Sequence, residues 1–431
     1  MERSEHALPG GLNLRVFRTK KFKVDAFRLF LQLPLAPGAG RVALVPSVLR
    51  RGTRRLPASG QLAAALESLY GADLSVDVMK LGERHLVTAS LETVHPRYVG
   101  ADRGLTRQAL ELLRDVVFDP AMERGHLRDD YVAQETENLR RTIEGIVNDK
   151  GQYAMYRLVQ EMFAGTPFAV PRYGRIEDFA DLDSAGLTDV YRDILGRAQL
   201  DLYAVGDFDP DALAAQVSDV FGSDLAGRTP VALPAPTVPG ARAGRTRTVV
   251  DRMAVNQGKL AIGLWTGLGF GDPRFPALTV ANGILGGFAH SKLHQNVRER
   301  ASLAYYAFSR LEGTQAAAFI TAGIEFADFD RALAIIQEQV EAIRDGQVTE
   351  EEFVSTVRTL RHHVRVGEDV PGALILSHLE RSMYGMPADA DSRVRALDAV
   401  RIEDAVAAAR GVETDTVYFL TQTEAPAPAV P

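Results

Sequence analysis

The chain has 431 residues, nine histidines, no cysteine and a formal net charge of −7. The missing cysteines exclude disulfides, thiolate nucleophiles and cysteine-held metals, and the negative balance gives no global field that would gather nucleic acid or an anionic membrane. The length exceeds what one core fills and predicts two or three domains, with 46% apolar residues to fill them. No stretch reaches the ~20 apolar residues of a membrane span. The first residues carry acids and no apolar run, so a soluble, cytoplasmic protein is expected.

Alternating residues predict strands in "LNLRVFRT" and "VDAFRLFLQLPL". "ASGQLAAALESLYGADL" predicts a helix, with Ser59 as its cap, Leu62, Leu66 and Leu69 on one face, and Gly71 at its end. A hairpin follows around "LGE", then an amphipathic helix stopped by Pro120. A long helical stretch from Leu127 to Phe163 weakens at "NDKG". "QLDLYAVG" predicts a strand, with Asp209 capping the next helix.

Pro, Gly and Ala then dominate residues 226–245, predicting a linker between domains 1–225 and 246–424. The second half predicts a strand at "GKLAIGLWTGL", a helical region to about Leu303, a hairpin at "AYYAFSRLEGTQAAAFITAGIE" and two helices. The second of these has Thr349 and Glu352 at capping-box spacing. Residues 425–431 read as a disordered tail. Both halves interleave strands, hairpins and long helices, which suggests an internal duplication.

Spacing alone reveals no catalytic centre. Neither His-Glu-x-x-His nor His-x-x-Glu-His occurs, and no phosphate loop or Gly-x-Ser-x-Gly is present. His290 and His294 stand one helical turn apart, but they lack an intervening Glu and a third ligand. His362 and His363 are adjacent and diverge on a helix. The clusters "RTKKFK" and "RRGTRR" read as solvated charge.

Five blocks in order carry a family resemblance: "RRGTRRLPASGQLAAALESLYGADLSVDV", "GTPFAVPRYGRIEDFADLDSAGLTDVYRDIL", "LYAVGDFDPDALAAQV", "ILGGFAHSKLHQNVRERASLAYYAFS" and "DGQVTEEEFVSTVRTLRHHV". Over nearly the whole chain they resemble the insulinase/pitrilysin family of zinc peptidases, family M16, in its half-length two-domain form. The resemblance implies an α+β fold of two tandem homologous domains, each a mostly antiparallel sheet packed with helices, forming half of a closed chamber.

Counting back from Gly52-Thr53, the family's His-x-x-Glu-His falls on Ala43, Leu44, Val45, Pro46 and Ser47. None of these can bind zinc or act as base. The family's third ligand, a Glu on a later helix, falls near Arg141, with Glu137 and Glu144 close by. By contrast, the family's substrate-contacting Arg and Tyr, seven residues apart, match Arg298 and Tyr305.

The chain is therefore expected to hold no metal and to have no catalytic residue of its own. It would be the non-catalytic subunit of a heterodimer whose partner carries the zinc, with Arg298 and Tyr305 binding a peptide substrate. The alternative is a homodimeric peptide-binding or scaffold protein. A hydrolase using His290 and His294 would need a base and a third ligand that the sequence does not supply.

Overall fold

Strand-forming runs set the frame of the computed structural model, which describes residues 1–100, 104–235 and 246–423. The first strands are β1 (Glu2–Leu8), β2 (Leu12–Arg18) and β3 (Val24–Pro34). Helices α1 (Ala39–Leu49) and α2 (Ser59–Ser68) follow, then the hairpin β4 (Asp73–Leu81) and β5 (Arg84–Val94). Next come α3 (Leu105–Phe118), a small hairpin β6 (Met122–Glu123) and β7 (His126–Leu127), and α4 (Asp129–Gly145). After α5 (Lys150–Met162) the chain forms α6 (Ser184–Arg197), β8 (Gln199–Gly206) and α7 (Pro210–Phe221).

The second half opens with β9 (Arg247–Met253), β10 (Gly258–Trp265) and α8 (Phe275–Asn282). The hairpin β11 (Ala304–Glu312) and β12 (Ala317–Ile324) precedes α9 (Phe329–Arg344), α10 (Glu350–Val366) and α11 (Pro371–Met383). The chain closes with α12 (Ala390–Asp398), α13 (Ile402–Ala409) and β13 (Glu413–Gln422).

Two large sheets result beside the β6-β7 hairpin, and their orders match. The first runs β1-β2-β8-β3-β5-β4 and the second β11-β12-β10-β13-β9. Reversing the second gives the same succession without β1. Each sheet has a hairpin on one side of a central strand, β3 or β10, paired antiparallel. The late strand, β8 or β13, lies on the other side, antiparallel to the centre and parallel to β2 or β9. The duplication suggested by the sequence is thus visible as topology. In each unit one sheet face is packed by helices around Leu, Val and Ile residues, and this burial is the main favourable term.

The chain divides into two compact units, 1–144 with 170–235, and 145–169 with 236–431. Residues 145–169, inside the expected first domain, therefore pack in the second unit. The break at "NDKG" explains how: the helical pattern stops, and Asp149 starts α5 afresh by accepting from the N–H groups of Gly151 and Gln152. Helix α5 then lies on the second sheet, with Leu158, Met162 and Phe163 against Ala261, Trp265 and Phe319. Gly263 makes this approach possible, since a Cβ there would meet Met162 Sδ at 2.4 Å.

Local expectations meet the structure unevenly. Asp209 caps α7 through the N–H of Ala212, and Thr349 and Glu352 close a reciprocal box on α10. Ser59 does not cap α2. Ala58 is the cap residue, and its N–H donates to the Gln61 side chain at 3.0 Å. The helical region expected up to Leu303 is broken. Helix α8 ends in a π-helical turn at Gly283–Gly287, and a second π-helical turn runs His294–Arg300. In the expected linker, Thr229 and Val231 donate to Gly196 and Arg197 carbonyls, so its start belongs to the first unit. Residues 236–245 of that linker, and the expected tail at 425–431, lie outside the described residues. Among the described residues no helix is long and apolar enough to cross a membrane.

Candidate functional site

The pentapeptide Ala43 to Ser47 forms the middle of α1. Ala43 and Pro46 are buried and Ser47 is half-buried, so the helix is wrapped by the core on most sides. Pro46 removes an N–H inside the helix, a conformational cost borne by the packing of Leu44, Val45, Val48 and Leu49. A methyl, a pyrrolidine ring and a hydroxyl offer zinc no ligand set. Among the described residues no group of three His, Asp or Glu side chains could hold a metal ion. The residues present do not fit zinc.

The Gly52-Thr53 segment that follows α1 is structural. A Cβ at Gly52 would lie 2.7 Å from the Leu56 carbonyl, so only glycine permits the turn. Thr53 is fully buried, and its hydroxyl accepts from the N–H of Leu56. The Gly-Thr pair that marks the resemblance therefore holds a turn.

Arg141 points outward and pairs with Glu137 at 2.6 Å, while Arg140 bridges Glu137 and Glu144. These two arginines hold the Glu137 carboxyl down at about 2 by hydrogen bonds. The carboxylate that faces inward on α4 is Glu135, only 1% exposed. Arg50 and Arg51, at the end of α1, reach it at 3.3 and 3.2 Å. Arg51 also donates to Gln134 and lies 5.0 Å over the Tyr131 ring.

A buried carboxylate needs positive charge, and here guanidinium groups of the chain itself supply it. Arg54 and Arg55 pair with Asp119 and Asp115, so the cluster "RRGTRR" is a largely exposed face whose arginines are also ion-paired. Glu135 escaped the sequence reading. Its signal is a lone acid in the inward stripe Tyr131, Val132, Glu135, Leu139.

The Arg298 and Tyr305 region is built differently. Arg298 sits in the π-helical turn His294–Arg300, pinned by buried Val297 and by the N–H of Leu303 donating to the Val297 carbonyl. Strand β11 begins at Ala304 with a bulge between Ala304 and Tyr306. That extra residue turns the Tyr305 ring out of the sheet, leaving it 66% exposed.

Arg298 donates to His294 Nε2 at 2.6 Å and lies 3.6 Å from Glu299. The Tyr305 hydroxyl donates to Glu325 at 3.0 Å, which holds the phenol above its usual range. The two side chains are thus exposed and held by different partners, with no direct bond between them. His290 pairs with Thr356 and stacks on Phe288, and burial pushes its pKa down. His294 is occupied by Arg298. The histidine pair does not converge on a metal site.

Residues 181–360 match a family model described as the peptidase M16 inactive domain. "Probable inactive metalloprotease YmfF" of Bacillus subtilis is 35% identical over 419 residues, 96% of this chain and 97% of that protein. "Uncharacterized zinc protease Mb2805c" of Mycobacterium bovis is 30% identical over 344 residues, 76% of this chain and 74% of that protein. Among solved structures, a conserved protein from Enterococcus faecalis superposes with a TM-score of 0.90 at 26% identity, covering 99% of this chain and all 100% of that one. A peptidase M16 inactive domain from Pseudomonas fluorescens shares the fold, with a TM-score of 0.80 at 18% identity over 99% of this chain and 100% of that one.

Proposed function

The chain belongs to the M16 peptidase family as an inactive homologue of its metalloproteases, and from that premise we propose that it is the non-catalytic subunit of a heterodimeric zinc peptidase. Its partner carries His-x-x-Glu-His and the metal. This chain shapes the peptide chamber and presents Arg298 and Tyr305 to the substrate. The observation that carries the reading is a contrast within one chain. The pentapeptide on α1 is buried except for half-buried Ser47, whereas Arg298 and Tyr305 stay 46% and 66% exposed on a turn and a bulge. An exposed guanidinium can hold a peptide carbonyl or carboxylate, and an exposed phenol can donate to a developing oxyanion.

The test is recovery of the tagged chain from its own cells. A near-stoichiometric partner bearing His-x-x-Glu-His supports the reading. Arg298→Ala and Tyr305→Phe should then lower turnover of the complex with its zinc content unchanged. Normal turnover in both variants removes the assigned roles. Recovery of this chain as a homodimer, with no zinc-bearing partner, favours a peptide-binding or scaffold protein instead.

A further inference from the structure

Tyr306, Phe308 and Arg310 alternate along β11, so their side chains share one face of the second sheet. The register sets them opposite Gly323, Thr321 and Phe319 of β12. Helix α5 covers the same face further across, over β10 and β13, and the β11 side stays open: Phe308 is 46% exposed and Arg310 is exposed.

The face is ordered by its own contacts. The Tyr306 ring lies against Gly323, where a Cβ would meet it at 2.6 Å, and is 5.8 Å from the Phe308 ring. Lys259 of β10 holds its ammonium 5.5 Å from Tyr306. The Arg310 guanidinium lies 5.3 Å over Phe319. Opposite Phe308, Thr321 is 9% exposed and its hydroxyl has no partner.

Two carboxylates near this face are hydrogen-bonded to neutral donors and keep their charge. Glu312 accepts from the Thr314 hydroxyl, and Asp149 accepts from the first N–H groups of α5. Among the described residues Arg310 has no ion pair, and its guanidinium is stacked on a ring.

We infer that this face binds an extended peptide carrying an apolar side chain and, two residues further on, a carboxylate. The inference rests on the peptide-binding reading above and names its substrate class. Residues two apart on an extended chain are about 7 Å apart on one face, the same repeat that separates Phe308 from Arg310. The apolar side chain lies on the Phe308 ring, and the carboxylate takes the paired N–H groups of Arg310, which stacking already holds in place. Lys259 lies at the Tyr306 end, with Asp149 as a nearby opposite charge.

The test uses the isolated full chain and two fluorescein-labelled octapeptides, Gly-Ser-Gly-Phe-Gly-Glu-Gly-Ser and the same sequence with Gln in place of Glu, read by anisotropy at low salt. The acidic peptide should bind about tenfold more tightly. Arg310→Gln should erase that preference, and Phe308→Ser should weaken both peptides. Both positions are exposed, so circular dichroism should be unchanged. Equal binding of the two peptides to the parent chain, absence of binding, or a preference that survives Arg310→Gln would overturn the inference. The readout needs neither a partner subunit nor turnover. A solitary homodimer would remove the heterodimer reading and leave this result standing, and a flat anisotropy result leaves the Arg298 and Tyr305 test standing.

Discussion

Helix α1 of the first unit and the α8 region of the second follow the central strands of two sheets with the same order. Their fates differ. In α1 the chain continues as one helix of 11 residues, mostly buried, in which Ala43, Pro46 and Ser47 carry no metal-binding side chain. In the second unit the helix stops after 8 residues and gives way to two π-helical turns and a bulged strand, which leave Arg298 and Tyr305 outside the core. A position absorbed into a core is governed by packing. A position held out on a turn stays available for binding.

The comparison can be broken most severely at Glu135. If Arg50 and Arg51 are the counter-charge of a buried acid, Arg50→Ala with Arg51→Ala should destabilise the first unit by about 3 kcal/mol, because the carboxylate is left buried and unpaired. Adding Glu135→Gln should recover part of the loss. Urea unfolding of the three proteins measures this, and no loss in the double variant would mean the pairs are only surface contacts.

A second contrast lies at the second residue of each central strand, Asp25 of β3 and Lys259 of β10. Asp25 is fully buried and its oxygens lack a hydrogen-bond partner; His95 approaches to 3.3 Å, and Arg97 pairs with Asp207 nearby. Burial pushes the Asp25 carboxyl up to about 7, while burial pushes the Lys259 ammonium down. A raised folded-state value stabilises the fold most below the unfolded value of about 4. That stability is lost as the pH rises through about 7. Asp25→Asn should therefore gain about 2 kcal/mol over the parent at pH 8, with the gain vanishing below about pH 4. Parallel stability curves for the two proteins would contradict this.

The exposed pair should behave in the opposite way. Arg298→Ala and Tyr305→Phe should each cost about tenfold in turnover of the assembled complex, yet change stability by less than about 0.5 kcal/mol. A stability loss matching the turnover loss would make them structural residues. The smallest effect separates two helix starts. Thr349→Ala should cost about 1 kcal/mol and Ser59→Ala almost nothing, since only Thr349 satisfies a backbone N–H. Thermal melts of the two variants decide it.

Strands with clean alternation and helices with strong caps were legible in the sequence, as in β2, β3, both long hairpins, α7 and α10. Strand β1, "ERSEHAL", was not, because a polar edge strand carries little hydrophobic signal. Strand β9, helices α11 to α13 and β13 also went unread. The absence of a His-x-x-Glu-His motif was legible because it is a matter of residue type. Glu135 was not, because its role depends on which face of α4 turns inward and on where α1 delivers Arg50 and Arg51. The bulge at Tyr305 depends on the partner strand, which local sequence does not encode.

Helix α5 carries a consequence for how the molecule can come into being. The ribosome releases Lys150–Met162 long before β10 and β13, the strands it will cover. Until then the apolar side of Leu158, Met162 and Phe163 has no sheet to rest on. The second unit must recruit a piece of chain made earlier, with the rest of the first unit's sequence between, so its assembly is a long-range closure. A protease nick at 236–245 would likewise not yield two self-sufficient halves, because the downstream fragment would leave its α5 behind.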